Sequence, residues 1–163
     1  MLVNEFDDNT INSKIEQKEY RTLNKKTIDI LFETDNEYVI YCVRQLCKSV
    51  PFEKMESTLI ATAASELATN IIRYAKNGIV EIKVIENIDS KNIGIEIYAH
   101  DQGPGIENIE IAMGDNYTTW NNSLGFGLAS IKRIMDEFYI YSKVGSGTKI
   151  LVRKWKVEKG FYD

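Results

Sequence analysis

Residues 93–101 restrict the fold of this chain more narrowly than any other segment. Every second side chain from Ile93 to Ala99 is apolar, and Asp101 continues that face just before a Gly-Pro-Gly turn. Such alternation predicts a strand with one face packed on a core. A carboxylate on that face is costly unless groups donate hydrogen bonds to it. The segment therefore predicts a strand with one buried face. At its end, a hydrogen-bond donor from the protein or from a ligand is expected beside the Asp101 carboxylate.

The rest of the chain alternates between strand and helix patterns. The predicted elements are a strand over 26–33, helices over 35–50 and 52–75 (the second ending near Asn77-Gly78), a strand over 78–87 forming a hairpin with 93–101, a helix over 126–138, and two strands over 139–155. One-sided alternation in the strands predicts a two-layer α/β sandwich. Its sheet is expected to be mixed but mostly antiparallel, with about three helices on one face.

The polar N-terminus and the overall composition restrict the domain organisation, the kinds of partner and the cellular location that can be expected. Residues 1–24 lack periodicity and predict a flexible or loosely docked extension before a single domain over 25–163. The net charge of −4, with 20 basic and 24 acidic residues and no basic block, argues against nucleic acid as a partner. No apolar run approaches the length of a membrane span, and no signal peptide is recognisable, so a cytoplasmic protein is expected. Cys42 and Cys47 are expected to be small core residues.

Glycine is concentrated in the second half of the chain. Seven of the ten glycines lie between positions 103 and 147, and six of them form the pairs Gly103/Gly105, Gly125/Gly127 and Gly145/Gly147. The pair at 125 and 127 precedes a predicted helix, and a helix N-terminus after glycine backbone is a natural phosphate site. No Walker motif is present, and the segment lacks the preceding strand of a dinucleotide fingerprint. The pair at 145 and 147 alone also fits ordinary turn chemistry.

The second predicted helix carries a polar face. Glu66 and Asn70 are four residues apart and share one side, and Arg73 lies three residues further on. Taken alone, Glu66 and Asn70 fit a solvated face as well as a site. A carboxylate and an amide oxygen are also suitable ligands for Mg²⁺ when phosphates supply the others.

Together, these features predict a nucleotide site. Asp101 can accept a hydrogen bond from the adenine amino group, whereas the guanine carbonyl at the same position cannot donate one. The glycines before the helix can hold phosphates, Asn70 can hold Mg²⁺, and Glu66 can act as a general base.

Four short motifs resemble those of the GHKL ATPase superfamily, which has the Bergerat ATP-binding fold. They are "ELATN" (66–70), "DQGPGI" (101–106), "GFGL" (125–128) and "GSGT" (145–148). Within that superfamily the chain, over residues 26–155, is most similar to the RsbT-type anti-sigma-factor serine/threonine switch kinases.

The resemblance implies a role for each matching residue. Glu66 would be the catalytic base, Asn70 would bind Mg²⁺, and Asp101 would bind adenine with help from Thr148 through a water. Gly103 and Gly105 would let the backbone pass the base and ribose, and Ile106 completes this nucleotide-binding box. Backbone N–H groups of the second box would bind the phosphates, and this box comprises Gly125, Phe126, Gly127 and Leu128. Residues 107–124 would form a lid that brings Thr118 and Thr119 near the triphosphate, and Arg73 would contact phosphate or a partner.

The resemblance leaves three functions open. The first is an Mg-ATP-dependent kinase in bacterial stress or sigma-factor signalling that phosphorylates a STAS-domain antagonist, with a PP2C-type phosphatase as a further partner. The second is an RsbW-like anti-sigma factor that sequesters a sigma factor. For this function the outward sheet face is a candidate partner or dimer surface, comprising Glu81, Lys83, Glu96, Tyr98 and His100. The third is an ATP-regulated partner switch without phosphoryl transfer.

Overall fold

The computed structural model of the protein describes residues 7–114 and 127–156. The strands are β1 (Tyr20–Ile30), β2 (Gly78–Asn87), β3 (Ile93–Asp101), β4 (Glu137–Lys143) and β5 (Gly147–Trp155). The helices are α1 (Asp8–Ile15), α2 (Glu33–Cys47), α3 (Lys54–Asn70), α4 (Ile109–Ala112) and α5 (Leu128–Ile134). A π-helical turn, Ile71–Ala75, continues α3.

The five strands form one sheet in the order β1-β2-β3-β5-β4, and every neighbouring pair is antiparallel. Both predicted hairpins are present. Val80 pairs with Ala99 in the β2–β3 hairpin, and Ile140 pairs with Ile150 in the β4–β5 hairpin. The structure confirms the predicted α/β sandwich, and its sheet is fully antiparallel among the described residues.

One face of the sheet packs against α2, α3 and α5 and holds the main core. Side chains that alternate along the central strands, such as Ile82, Ile97 and Val152, are completely buried there. The helix α3 contributes several alanines to this core, and small side chains let α2 approach α3 closely. Cys42 and Cys47 are buried, free thiols in the same core, as predicted.

Several element boundaries differ from the sequence prediction. The strand β1 begins at Tyr20, so the expected domain boundary at residue 24 falls inside it, and α1 lies within the predicted flexible extension. The helix predicted over 126–138 ends at Ile134, and β4 begins at Glu137. The helix predicted over 52–75 changes to π-helical geometry at Ile71 and ends at Lys76, which has a positive φ of 70°.

The helix α1 packs on the opposite face of the sheet, against β4 and β5. Ile11 of α1 is completely buried, and Asp8 pairs with Lys149 of β5 at 2.5 Å. At Glu96, which is 3% exposed, and Arg153, which is completely buried, this face is covered and not open as expected. The other residues of the predicted partner surface are partly exposed: Glu81, Lys83, Tyr98 and His100.

Within residues 7–114 and 127–156, every helix is too short or too polar to span a membrane.

Candidate functional site

A cleft of about 850 Å³ lies between the C-terminal end of α3 and the adjoining ends of β3 and β5, with α4 and the start of α5 at its rim. Nine residues predicted for the site line this cleft: Glu66, Asn70, Arg73, Asp101, Gly105, Ile106, Gly127, Leu128 and Thr148. The predicted site residues Thr118, Thr119, Gly125 and Phe126 lie outside the described residues. Among the described residues, only Gly103 of the predicted set does not line the cleft.

Asp101 provides a carboxylate on the wall of the cleft. Its Oδ1 accepts a hydrogen bond from the Gly103 N–H at 2.9 Å, and the backbone N–H of Thr148 donates to the same side chain. Burial raises the pKa of Asp101, while these two N–H groups oppose that effect. Ala99 and Ile150, both buried, line the cleft beside it. An acceptor set in an apolar surface suits the amino edge of a flat heterocycle.

Gly103 and Gly147 allow close packing around Asp101. A Cβ on Gly147, whose φ is +107°, would lie 2.0 Å from the Asp101 carbonyl oxygen. A Cβ on Gly103 would lie 2.6 Å from the Cβ of Ala75 in the π-helical turn. In the structure Gly103 lets the loop after β3 pack against the π-helical turn. Its expected role beside a base and ribose stays a prediction.

Ser142 supports the site from outside the cleft lining, and the sequence analysis missed it. Its Oγ accepts a hydrogen bond from the Ile106 N–H at 2.8 Å and lies 2.8 Å from Oγ1 of Thr148, its cross-strand partner. Ser142 thus ties the loop after β3 to the β4–β5 hairpin and fixes the Thr148 side chain. It follows the buried Ile140 by two positions, so the alternation that singled out Asp101 could also have identified it.

Glu66 and Asn70 lie one helical turn apart on α3, and both line the cleft. Burial raises the pKa of the Glu66 carboxyl, and the positive charge of Arg73 partly offsets this effect. A carboxylate with a raised pKa beside an amide oxygen is well suited to accept a proton near a bound cation.

The π-helical turn contributes three residues to the lining of the cleft, Ile71, Arg73 and Tyr74. Single π turns inside α-helices are frequent at functional sites. Tyr74 is 47% exposed and was not predicted as a site residue. Its position follows from the change in helical geometry at Ile71, for which the sequence carries no periodic signal.

The N-terminus of α5 faces the cleft through Gly127 and Leu128. Gly127 is the N-cap, and its carbonyl accepts hydrogen bonds from the N–H groups of Ser130 and Ile131 at 3.0 and 3.3 Å. The first N–H groups of a helix have no partner within it, so they are suited to bind an anion. This end of the cleft therefore has the polarity expected for phosphates.

The short helix α4 closes another side of the cleft, and it was not predicted. Asn108 caps it by accepting a hydrogen bond from the Ile111 N–H at 2.9 Å, and both residues line the cleft with Ala112. An asparagine before a short apolar run is a local signal for such a turn.

The arrangement combines four chemical functions in one cleft: an acceptor in an apolar slot, a helix N-terminus, an amide oxygen and a carboxylate of raised pKa. The amide oxygen of Asn70 and the carboxylate of Glu66 are oxygen donors of the kind that Mg²⁺ prefers, with phosphate oxygens completing its coordination. The residues present therefore fit an adenine nucleotide with a divalent cation.

Comparison with known proteins gives a consistent family assignment. The histidine kinase-like ATPase domain family matches residues 21–154 of the chain. The chain is 42% identical over 123 residues to the serine/threonine-protein kinase RsbT of Bacillus subtilis, covering 73% of this chain and 90% of that protein. It is 31% identical over 137 residues to the anti-sigma F factor of Clostridium acetobutylicum, covering 80% of this chain and 93% of that protein.

Two solved structures share the fold. The structure of the RsbU and RsbW domains of Rv1364c from Mycobacterium tuberculosis matches with a TM-score of 0.52 and 14% identity, over 82% of this chain and 33% of the other. The SiaB–SiaC complex from Pseudomonas aeruginosa contains a chain that matches with a TM-score of 0.50 and 13% identity, over 93% of this chain and 99% of the other.

Proposed function

Since the chain belongs to the histidine kinase-like ATPase family, we propose that it is an Mg-ATP-dependent serine/threonine protein kinase of the RsbT-like switch type. Family membership confirms the resemblance that the sequence motifs predicted. The observation that carries the proposal is the cleft-lining pair on α3, in which Glu66, with its raised pKa, lies one turn from Asn70. The 42% identity to a serine/threonine-protein kinase supports the same reaction.

Six residues that line the cleft have a role in this proposal. Asp101 accepts a hydrogen bond from the adenine amino group, and the Thr148 hydroxyl, held by Ser142, contributes beside it. The N–H groups at Gly127 and Leu128 bind phosphate oxygens. Asn70 would hold Mg²⁺, which neutralises phosphate charge when bound. Phosphoryl transfer depends mostly on such positioning and charge stabilisation.

Glu66 acts as the general base. Its carboxylate accepts the proton of a serine or threonine hydroxyl while that oxygen forms a bond to the γ-phosphorus and the bond to the β-phosphate oxygen breaks. The products are ADP and a phosphorylated protein. Because burial favours the neutral carboxyl, Glu66 holds the transferred proton more readily than an exposed glutamate would.

The substrate in this proposal is a STAS-domain antagonist, and a sigma factor or a PP2C-type phosphatase is a further partner. We place the protein in the cytoplasm, where ATP is available and the free thiols of Cys42 and Cys47 remain reduced.

Sequestration of a sigma factor is the second candidate function. It is favoured by the similarity of the chain to anti-sigma F factors. The match to the Clostridium acetobutylicum protein covers 80% of this chain. A partner switch that binds ATP without phosphoryl transfer is the third candidate.

Phosphoryl transfer tests the proposal directly. The wild-type protein is incubated with Mg-[γ-³²P]ATP and the STAS-domain protein encoded nearest to its gene, and label is sought on serine or threonine. Glu66→Gln is expected to lose transfer by about 100-fold or more, because general-base catalysis contributes on that order. It is expected to retain ATP binding.

Glu37→Gln is the matched control, since Glu37 is an exposed carboxylate on α2. It is expected to transfer phosphate at the wild-type rate. Equal transfer by wild type and Glu66→Gln would overturn the role of Glu66. ATP binding without labelled product, together with stable capture of a sigma factor, would favour sequestration.

A further inference from the structure

The helix α1 is held on the sheet by polar contacts that converge on two side chains of β5. Lys149 Nζ contacts Asp8 Oδ1 at 2.5 Å and Asn12 Oδ1 at 3.3 Å. Arg153 Nη2 donates to the Lys14 carbonyl at 2.6 Å. Ile11 is the one buried residue of this helix, so its buried apolar surface is small and the contacts around it are mostly polar.

Arg153 makes the docking of α1 part of a buried network. Its side chain is 1% exposed and also bonds Glu96, Glu137 and the Gln17 side chain. A buried guanidinium needs partners for its donors, and residues 14 and 17 supply two of them. Release of this segment therefore leaves part of the guanidinium without its partners.

Lys149 connects α1 to the back of the cleft. It directly follows Thr148, which lines the cleft and donates its backbone N–H to Asp101. Lys149 also pairs across the sheet with His100, the residue that precedes Asp101. The contacts of Asp8 and Asn12 thus lie directly behind the two strand ends that carry Asp101 and Thr148.

The helix lies outside the segment that matches the family, because that match begins at residue 21, after α1 has ended. It has eight residues, and a helix of that length is marginal in water on its own. Its persistence as a helix therefore depends on the contacts with β5.

From these contacts we infer that α1 is a regulatory strap whose docking behind β3 and β5 and nucleotide binding in the cleft stabilise each other. The inference rests on the proposed function, because it takes an adenine nucleotide as the ligand of the cleft. When α1 is docked, Lys149 and Arg153 hold β5 in the register that presents Thr148 to Asp101. Release of α1 loosens that pair and weakens nucleotide binding, and bound nucleotide in turn holds α1 in place.

The test compares two full-length variants that add the same charge to α1. Ile11→Asp places a carboxylate on the buried face, whereas Ser13→Asp places one on an exposed position of the same helix. Docking is measured by the rate of tryptic cleavage after Lys14 and Lys18, followed by mass spectrometry. Affinity for Mg-ATP is measured by calorimetry.

We expect Ile11→Asp to be cleaved faster than wild type and to bind Mg-ATP at least about fivefold more weakly, the lower end of typical coupling between sites. Ser13→Asp is expected to match wild type in both measurements. A non-hydrolysable ATP analogue should slow cleavage of the wild-type protein after Lys14, because coupling is reciprocal.

Faster cleavage of Ile11→Asp with an unchanged affinity for Mg-ATP would overturn the inferred coupling between α1 and the cleft, while leaving the proposed function intact. Absence of nucleotide binding to the wild type would overturn the proposed function and the strap with it. If Ile11→Asp does not fold, Asp8→Lys and the charge-swapped Asp8→Lys/Lys149→Asp protein replace it. The single change should weaken ATP binding and the swap should restore it, and failure to restore would overturn the inference.

Discussion

Glu96 and Arg153 face each other on β3 and β5 and form an ion pair that is almost completely buried, with Nε of Arg153 2.8 Å from Oε2 of Glu96. They belong to a row of charged side chains that crosses all strands of the sheet in register: Lys25, Lys83, Glu96, Arg153 and Glu137. Removing one member of a buried pair costs more than the pair contributes, because the other charge is left without a partner.

We predict that Arg153→Met lowers the free energy of unfolding by about 3–5 kcal/mol, the usual effect of breaking a buried ion pair. Arg21→Met is the control, since Arg21 also pairs across strands with a glutamate, Glu86, but is 64% exposed. It should cost less than about 1 kcal/mol. Urea unfolding of the two variants measures the difference, and equal losses would contradict the burial argument.

Gly147 and Gly145 provide a matched test of packing in the last hairpin. Both have a positive φ, but a Cβ on Gly147 would lie 2.0 Å from the Asp101 carbonyl oxygen, whereas one on Gly145 would meet open space. Gly145→Ala should therefore cost only the left-handed backbone penalty of about 1 kcal/mol. Gly147→Ala should cost about 4 kcal/mol or more, because backbone atoms must move. Thermal unfolding distinguishes the two, and similar costs would contradict the close approach.

Ser142 is expected to support nucleotide binding without contacting the nucleotide. Ser142→Ala removes the hydroxyl that lies 2.8 Å from Oγ1 of Thr148, and it should weaken ATP binding by about 3- to 10-fold, the effect of one neutral hydrogen bond. Ser142→Thr retains the hydroxyl and should retain the affinity. Calorimetric titration measures both, and an alanine variant with unchanged affinity would exclude this positioning role.

The sequence predicted the fold wherever burial imposes a periodic pattern. The alternation along β2 and β3 identified those strands almost to the residue, and the amphipathic pattern of α2 located that helix to within three residues at each end. The helix α1 and the start of β1 were missed because they bury very little: α1 buries only Ile11, and Tyr20 to Asn24 have no buried side chain. Polar contacts with residues that are distant along the chain leave no periodic pattern in the sequence of the segment itself.

The same reason limits what the sequence could predict about the sheet face that carries Glu96. Alternation correctly separated Glu96 from the main core, and a charged residue on a second face is normally solvated. Its burial depends on Arg153, 57 residues away, and on Lys14 and Gln17 of the N-terminal segment. Such a network is visible only once the strands are paired and α1 is in place.

The cleft was largely predictable because its residues carry short motifs. Glu66, Asn70 and Asp101 stood out as polar side chains at positions where a helix or strand would normally be apolar or neutral. Tyr74 was not predictable, because a change from α- to π-helical geometry brings it to the rim. The position of Gly103 against Ala75 follows from that same turn.

Ionisation of Glu66 should set the acid limb of the pH profile for the rate of phosphoryl transfer. Transfer needs the ionised carboxylate, and burial raises the pKa of Glu66, so the rate should begin to fall at a higher pH than the ordinary glutamate value of about 4.3. Arg73→Met removes a positive charge that lowers this pKa, so the inflection should move further up the pH scale. The pH profile of single-turnover transfer measures both. An inflection at the ordinary value in both proteins would contradict the assignment.

Adenine recognition by Asp101 is a premise of both the kinase and the ATP-regulated switch, and it is tested by calorimetric titration of Mg-ATP into wild type and Asp101→Asn. We predict that wild type binds ATP, that GTP binds far more weakly, and that Asp101→Asn loses about 10- to 100-fold in ATP affinity, the effect of one hydrogen bond to a charged group. Equal affinity for ATP and GTP, or an Asp101→Asn protein that binds ATP as wild type does, would contradict it.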